Sequence, residues 1–292
     1  EKLEMANRLI RETFGRYLSD EIVETILETP EGLKLGGEKR RATVMMTDLR
    51  GFTAIGERLP PEHVVEMLNI YLDVMTEIIL TYHGTIDEFS GDAILAVFGA
   101  PVRRDDDAQR AVACAITMQL AIDEVNARNK NAGYPEIHMG IGIHTGDVVV
   151  GNIGSSKHTK YGVFGGTVNL ASRIESYTVG GQILISKSTL DACGEILRID
   201  GQMTVMPKGV KEPLAIYDIG GIGGKFHIFL PKKKTIELVA LQHPLPVKFT
   251  LLEGKHSSED TYNGSMIKLK DAIAEIQAQR NCRELTNLKI SI

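Results

Sequence analysis

Long apolar runs are missing from this 292-residue chain. Its longest stretches, such as Ile78-Ile79-Leu80 and Val148-Val149-Val150, fall far short of the ~18 consecutive apolar residues that a membrane-spanning helix needs. Nothing in this fragment is expected to enter a bilayer. Cysteine is scarce as well. Cys114, Cys193 and Cys282 are widely separated, odd in number and without metal-ligand spacing, which argues against a disulfide framework and fits a reducing, cytoplasmic compartment. Nor is there a strong charge of one sign: Lys plus Arg is 33 against 38 for Asp plus Glu, a net −5. Such a mild acidic balance speaks against wholesale nucleic-acid binding but leaves room for a local basic pocket that takes a phosphorylated small molecule. Internal repeats, low-complexity tracts and a signal-peptide pattern are also missing. A chain that starts at Glu1 rather than Met reads as a piece of something longer. What is present is ordinary for a globular protein, with 43% apolar and 24% charged residues, enough for a real core. The length allows one medium domain with an appendage.

Periodicity gives the organisation. Residues 1–30 read as a connector helix, with Leu3, Ile10, Phe14, Leu18, Ile22 and Ile26 at helical spacing, ended by Pro30 and the glycines Gly32, Gly36 and Gly37. A strand is predicted over Arg41–Asp48, then a turn and a helix start at Phe52 and Thr53. Pro60 to Tyr82 reads as a helix with a broad buried face, followed by strand (Thr85–Phe89), turn and strand (Asp92–Phe98). The acidic run Asp105-Asp106-Asp107 opens a second long helix to about Lys130, placed where the helix dipole favours negative charge. Strands over His138–Val150, Lys160–Phe164, Gln182–Ser186 and Leu214–Ile219 enclose a helix over Thr167–Tyr177. Two long helices among several strands imply an α/β (α+β) sandwich with helices packed on a sheet. Residues 31–219 are one domain, and 220–292 an extension without a readable motif, with strand-like alternation at Thr235–Leu241 and Val247–Leu252 and a helical stretch from Met266 to Gln279.

The sharpest chemical signal is a pair of strand-end aspartates, Asp48 in Thr47-Asp48-Leu49-Arg50-Gly51-Phe52-Thr53 and Asp92 in Ser90-Gly91-Asp92. Either alone would pass for a turn-capping residue. Together they suit a hard divalent cation, because Mg²⁺ is usually held by one or two carboxylates plus substrate phosphates. The helix start after Asp48 adds free backbone amides at Phe52 and Thr53 that attract phosphate. A second constellation follows the glycines Gly162, Gly165 and Gly166: Asn169 and Arg173 are four apart and share a helix face, so an amide and a guanidinium can reach one ligand. Arginine is suited to the charge that develops on a phosphoryl group in transfer. Blander readings serve elsewhere: His144 as a satisfied structural histidine, Met45 and Met46 as core filler, and Lys232-Lys233-Lys234 as a solvated loop.

The segments Phe14-Gly-Arg-Tyr-Leu-Ser, Gly36-Gly37-Glu38-Lys39-Arg40-Arg41, the Asp48 and Asp92 motifs, Gly140-Ile-Gly-Ile-His-Thr-Gly146 and Gly166-Thr-Val-Asn-Leu-Ala-Ser-Arg173 strongly resemble the class III nucleotidyl cyclases, in order over about residues 14–219. The resemblance implies a ferredoxin-like, palm-type sheet and a homodimer with two active sites at the subunit interface. One subunit would supply Asp48, Leu49 and Asp92 to two Mg²⁺ or Mn²⁺ ions. The other would supply the base pocket, Asn169 to orient the ribose and Arg173 to stabilise the phosphorus. Lys208 matches a lysine that neutralises the triphosphate. The initial helix would carry a signal from an upstream regulatory domain.

The resemblance also bears on the purine. Adenylate-forming members read adenine with a Lys shortly before the second metal aspartate and an Asp or Thr on the later strand; this chain has Glu88 and Gly162 there. Guanine offers N1–H and a 2-amino group, both donors, and one carboxylate can accept from both, whereas Glu88 facing adenine N1 would set two acceptors together. The expected substrate is therefore GTP, converted to 3′,5′-cyclic GMP and pyrophosphate. An adenylate cyclase with an unusual pocket and a non-catalytic nucleotide-binding or dimerisation module are the alternatives. The second is disfavoured by the presence of Asp48, Asp92, Asn169 and Arg173. The Gly-Gly-Asp/Glu-Glu-Phe signature of diguanylate cyclases is absent.

Overall fold

The computed structural model describes residues 35–155, 157–206, 212–232, 238–253, 256–270, 273–278 and 287–291. Residues 1–30, where a connector helix is expected, Lys208 and Cys282 lie outside these residues. The chain separates into two compact units at Pro231/Lys232.

In the first unit the elements run β1 (Gly36–Leu49), α1 (Phe52–Gly56), α2 (Pro61–Thr81), β2 (Thr85–Ser90), β3 (Ala93–Phe98), α3 (Asp107–Asn131), β4 (Met139–Ser155), β5 (His158–Phe164), α4 (Gly166–Glu175), β6 (Ile183–Ser186), α5 (Lys187–Cys193), β7 (Leu197–Val205), β8 (Leu214–Ile222) and β9 (Ile228–Phe229). The strands form one sheet in the order β2-β3-β1-β4-β6-β8-β7, with β5 on β4 and β9 on β8. This is the mixed α+β fold that the helix and strand pattern implies.

The sheet is buried on two sides, and strand periodicity decides which residue faces which. Along β1, Met45 and Leu49 enter the larger core with Tyr71 and Met75 of α2 and Ile116 of α3. Ala42 and Val44 enter a second core with Leu95, Val148, Val150 and Ala171 of α4. Asp48, in step with Ala42 and Val44, therefore belongs to the α4 side. The strand is pinned from behind, since the buried Tyr71 hydroxyl shares a hydrogen bond with Thr47 Oγ1 at 3.1 Å and donates to Met139 Sδ at 3.3 Å. Burial also pushes the Tyr71 pKa up, so the phenol stays neutral.

Helix α4 lies directly on the backbone of β4, and the glycines of Gly140-Ile-Gly-Ile-His-Thr-Gly146 make that approach possible. A Cβ on Gly142 would sit 2.6 Å from Glu175 Cα and 2.7 Å from the Ala171 carbonyl; one on Gly146 would sit 2.7 Å from Thr167 Oγ1. Thr167 in turn donates to the Asp147 carbonyl at 2.6 Å and fixes the start of the helix. His144 occupies the structural role expected of it: half-buried, its Nδ1 lies 2.8 Å from Ser186 Oγ, and burial, with Arg41 nearby, pushes its pKa down to about 4.

Three features differ from the sequence expectation. β8 runs to Ile222 and pairs with β9, so the sheet crosses the expected 219/220 boundary and the first unit extends to Pro231. α5 and β7 were not expected. In the second unit the helix expected over Met266–Gln279 is absent among the described residues: β10 (Val239–Glu253), β11 (His256–Lys270), β12 (Ile273–Ala278) and β13 (Asn287–Ser291) form an antiparallel sheet in the order β12-β11-β10-β13. Met266 is 6% exposed and is buried with Val247 and Phe249 of β10, and this cross-strand burial overrides a short local helical pattern.

Candidate active site

Because β1 and β3 pair antiparallel with Thr47 opposite Ile94, the end of β1 meets the β2–β3 turn. The Leu49 amide donates to Asp92 Oδ2 at 3.0 Å, which sets the Asp92 carboxylate beside the strand end that carries Asp48. Both aspartates are half-buried. The donor set is all oxygen: two carboxylates and the backbone at Leu49. Among the described residues no cluster of three or more His, Cys, Asp or Glu could cage a metal. An open pair of this kind fits Mg²⁺ or Mn²⁺, whose remaining positions are filled by water and phosphate oxygens, and does not fit a closed structural site.

Directly after β1, Gly51 takes a left-handed conformation (φ 71°) as the N-cap of α1. The first helical bonds run from Ala54 and Ile55 back to the Gly51 carbonyl, so the Phe52 and Thr53 amides are the helix's leading donors. The Phe52 ring packs on the main core and Thr53 is exposed.

Glu88 reaches its place through an irregularity. β2 pairs with β3 as Ile86↔Ala96 and then Glu88↔Leu95, with a register shift between the two pairs. Ala96 belongs to the α2 side and Leu95 to the α4 side of the sheet. The bulge at Asp87 thus turns Glu88 onto the same side as Asp48, a re-aiming typical of bulges beside functional sites. There Lys160 of β5 binds both acids, with Nζ 2.8 Å from Asp87 Oδ2 and 2.6 Å from Glu88 Oε2. Asp87 Oδ1 also accepts from the Val163 amide at 2.9 Å and would lie 3.0 Å from a Cβ on Gly162. Asp87 and Lys160 thus bring Glu88 of β2 and Gly162 of β5 near one another. Burial alone would lower the Lys160 pKa, but the two hydrogen-bonded carboxylates outweigh it and leave it raised. Lys160 and Asp87 were not anticipated, although Lys160 stands two residues before Gly162 and so shares its strand face.

On α4, Asn169 is exposed and Arg173 half-exposed, one turn apart. The helix anchors its other side with Ala171, Ile174 and Glu175 buried. Arg50, also not anticipated, forms an ion pair with Glu175 and lies 3.5 Å from Asp48 Oδ2. Burial lowers the Arg50 pKa, and Asp48 and Asp92 oppose that shift.

Comparison with known proteins identifies the family. Residues 37–219 match the family profile described as the adenylate and guanylate cyclase catalytic domain. The chain is 33% identical over 212 residues to Adenylate cyclase 1 of Rhizobium meliloti (strain 1021), a match that covers 72% of this chain and 32% of that protein, so it spans about a third of that relative's length. Among solved structures it is similar to the guanylyl cyclase Cya2, at 54% identity and a TM-score of 0.66 over 68% of this chain and 100% of that one. It is also similar to the adenylyl cyclase CyaB from P. aeruginosa, at 36% identity and a TM-score of 0.60 over 63% and 96% of the two chains. With its match over more than half its length, the chain belongs to the class III nucleotidyl cyclase family and carries that family's catalytic domain.

Proposed function

We propose that this domain is a guanylate cyclase, which forms 3′,5′-cyclic GMP and pyrophosphate from GTP at the interface of a homodimer. The observation that carries the choice of purine is the Glu88 carboxylate, turned by the β2 bulge onto the Asp48 side and held beside the Lys160 ammonium at 2.6 Å. A carboxylate next to an ammonium offers an acceptor and a donor side by side. Guanine can engage both, N1–H and the 2-amino group donating to Glu88 and O6 accepting from Lys160. Gly162, beside Asp87 and Lys160, is proposed as the second residue at the base.

In this reading one protomer contributes Asp48, Asp92 and the Leu49 carbonyl, which would hold the divalent cations; when bound, these activate the ribose 3′-hydroxyl and offset the triphosphate charge. The Phe52 and Thr53 amides bind phosphate oxygens. The partner presents Glu88 and Lys160 to the base, Asn169 to the ribose and Arg173 to the α-phosphate, where the guanidinium stabilises charge gathered during in-line displacement. Lys208 is proposed for the triphosphate. Val149 and Phe164, paired across β4 and β5, are 40% and 41% exposed, an apolar surface beside the start of α4 that a second copy would cover. An upstream regulatory domain completes the proposal.

The adenylate reading is favoured by one observation of its own: the same pair could accept from adenine N6 at Glu88 and donate to N1 from Lys160. Guanine gains one contact more. Parallel turnover of GTP and ATP with Mn²⁺ decides between them, with a kcat/KM at least tenfold higher for GTP expected and preference for ATP refuting the assignment.

A further inference from the structure

We propose that Arg50 and Glu175 are a positioning pair that ties the two active sites of the homodimer together through the body of each protomer. This rests on the shared-site reading above. In that reading Asp48 serves one site and Asn169 and Arg173 of the same chain serve the other. Arg50 stands two residues after Asp48 and Glu175 two residues after Arg173, and their ion pair joins the two groups within the chain.

The placement of Arg50 is specific. Its amide donates to the His138 carbonyl at 2.7 Å. Its side chain crosses the end of β4 over Gly140, where a Cβ would lie 3.0 Å from Nη2 and 2.9 Å from Thr178 Cβ. Gly140 therefore opens the path that the guanidinium follows to α4. Glu175, its side chain 8% exposed, terminates that helix; Arg50 and Glu175 meet as an ion pair, while Arg50 Nε and Nη2 and Glu175 Oε1 make no hydrogen bond among the described residues. A buried ion pair of imperfect geometry is weak as a source of stability. This one sits between a metal-site carboxylate at 3.5 Å and the helix end. Arg50 divides its charge between Asp48 and Glu175, so whatever neutralises Asp48 leaves the guanidinium to Glu175 and seats α4 more firmly. Two sites that bias one element are coupled, and the coupling is reciprocal for binding.

The test uses heterodimers of full-length chains, one chain carrying Asp48→Ala and its mate Arg173→Ala. Each such dimer retains a single intact site, with aspartates from the Arg173→Ala chain and the helix from the Asp48→Ala chain. Arg50→Met, added only to the Asp48→Ala chain, leaves every substrate-facing group of that site in place. A roughly tenfold fall in kcat with KM changed less than about twofold is expected, with partial recovery for Arg50→Lys and a like fall for Glu175→Gln. The second readout needs neither turnover nor nucleotide: in Arg50→Met homodimers, amides of residues 170–178 exchange hydrogen about tenfold faster while those of α2 do not change. Unchanged kcat in the heterodimer, or equal acceleration in α2, overturns the proposal. A heterodimer inactive before Arg50 is altered overturns the shared-site reading and this inference with it.

Discussion

Replacing Glu88 by lysine tests the base pocket most sharply. In the proposed complex the carboxylate accepts two hydrogen bonds from guanine. A hydrogen bond to a charged group is worth ~1.5–3 kcal/mol, and leaving donors unpaired adds to the loss. Glu88 is 52% exposed without substrate, so solvent competes and the lower end applies, giving about 2–3 kcal/mol for the pair. At about 1.4 kcal/mol per factor of ten, kcat/KM for GTP should fall roughly 30- to 150-fold. ATP should lose far less, since a lysine at this place donates to adenine N1, and the GTP-to-ATP selectivity ratio should drop by about two orders of magnitude. Asp87, bound to the Val163 amide and to Lys160, keeps a negative charge beside the new ammonium, so the strand should stay in place. The assay is initial-rate cyclisation of each triphosphate with Mn²⁺, product separated by chromatography, with circular dichroism to verify the fold. A selectivity ratio within about threefold of the parent would refute the placement of Glu88 at the base.

Other substitutions probe the remaining links. Asp48→Ala should abolish turnover and shift the melting temperature by no more than a few degrees, because the half-exposed side chain is not core packing; full activity would end the metal assignment. Gly142→Ala forces a methyl against Ala171 O and Glu175 of α4 and should cost about 1–3 kcal/mol in denaturant titration with a matching loss of activity; a neutral result would mean that α4 does not lie on β4 as described. Tyr71→Phe removes the hydroxyl that Thr47 and Met139 share and should destabilise by about 1–2 kcal/mol, read from the same titration. His144 has its pKa lowered in the fold to about 4 from 6.5, so its contribution to stability is complete above pH 6.5 and is lost as pH falls towards 4, at most ~3 kcal/mol at 1.36 kcal/mol per unit. His144→Gln should flatten the stability curve between pH 6.5 and 4, and an unaltered slope would contradict a buried neutral imidazole.

The sequence made the central elements legible because their patterns are strong. β1, the two long helices and the β2–β3 hairpin combine clear periodicity with turn residues, and Asp48 stands near the end of the β1 run while Asp92 directly precedes the apolar run of β3. The edge strand β7 was missed because Leu197–Val205 mixes charged and apolar residues with little burial, and α5 because it is only seven residues long, capped by Ser186, whose side chain accepts from the Thr189 amide. Met266–Gln279 misled because a few apolar residues fit a helix as well as a strand until β10 pairs with them. At the site, Glu88 could be chosen by its place in a motif, but nothing local announces the bulge at Asp87 that turns it to the α4 side, nor the reach of Lys160 from β5. Arg50 and Glu175 are more than a hundred residues apart, and only the glycine path over β4 brings them together.

In the proposed homodimer each site combines carboxylates of one protomer with the purine pocket of its mate. A crystal structure with a non-hydrolysable GTP analogue and Mn²⁺, with the manganese located by anomalous scattering, tests it most directly. Manganese is expected at Asp48 and Asp92 of one chain and the guanine edge against Glu88 of the other; manganese away from those aspartates, or a nucleotide bound wholly within a single chain, would refute the shared site.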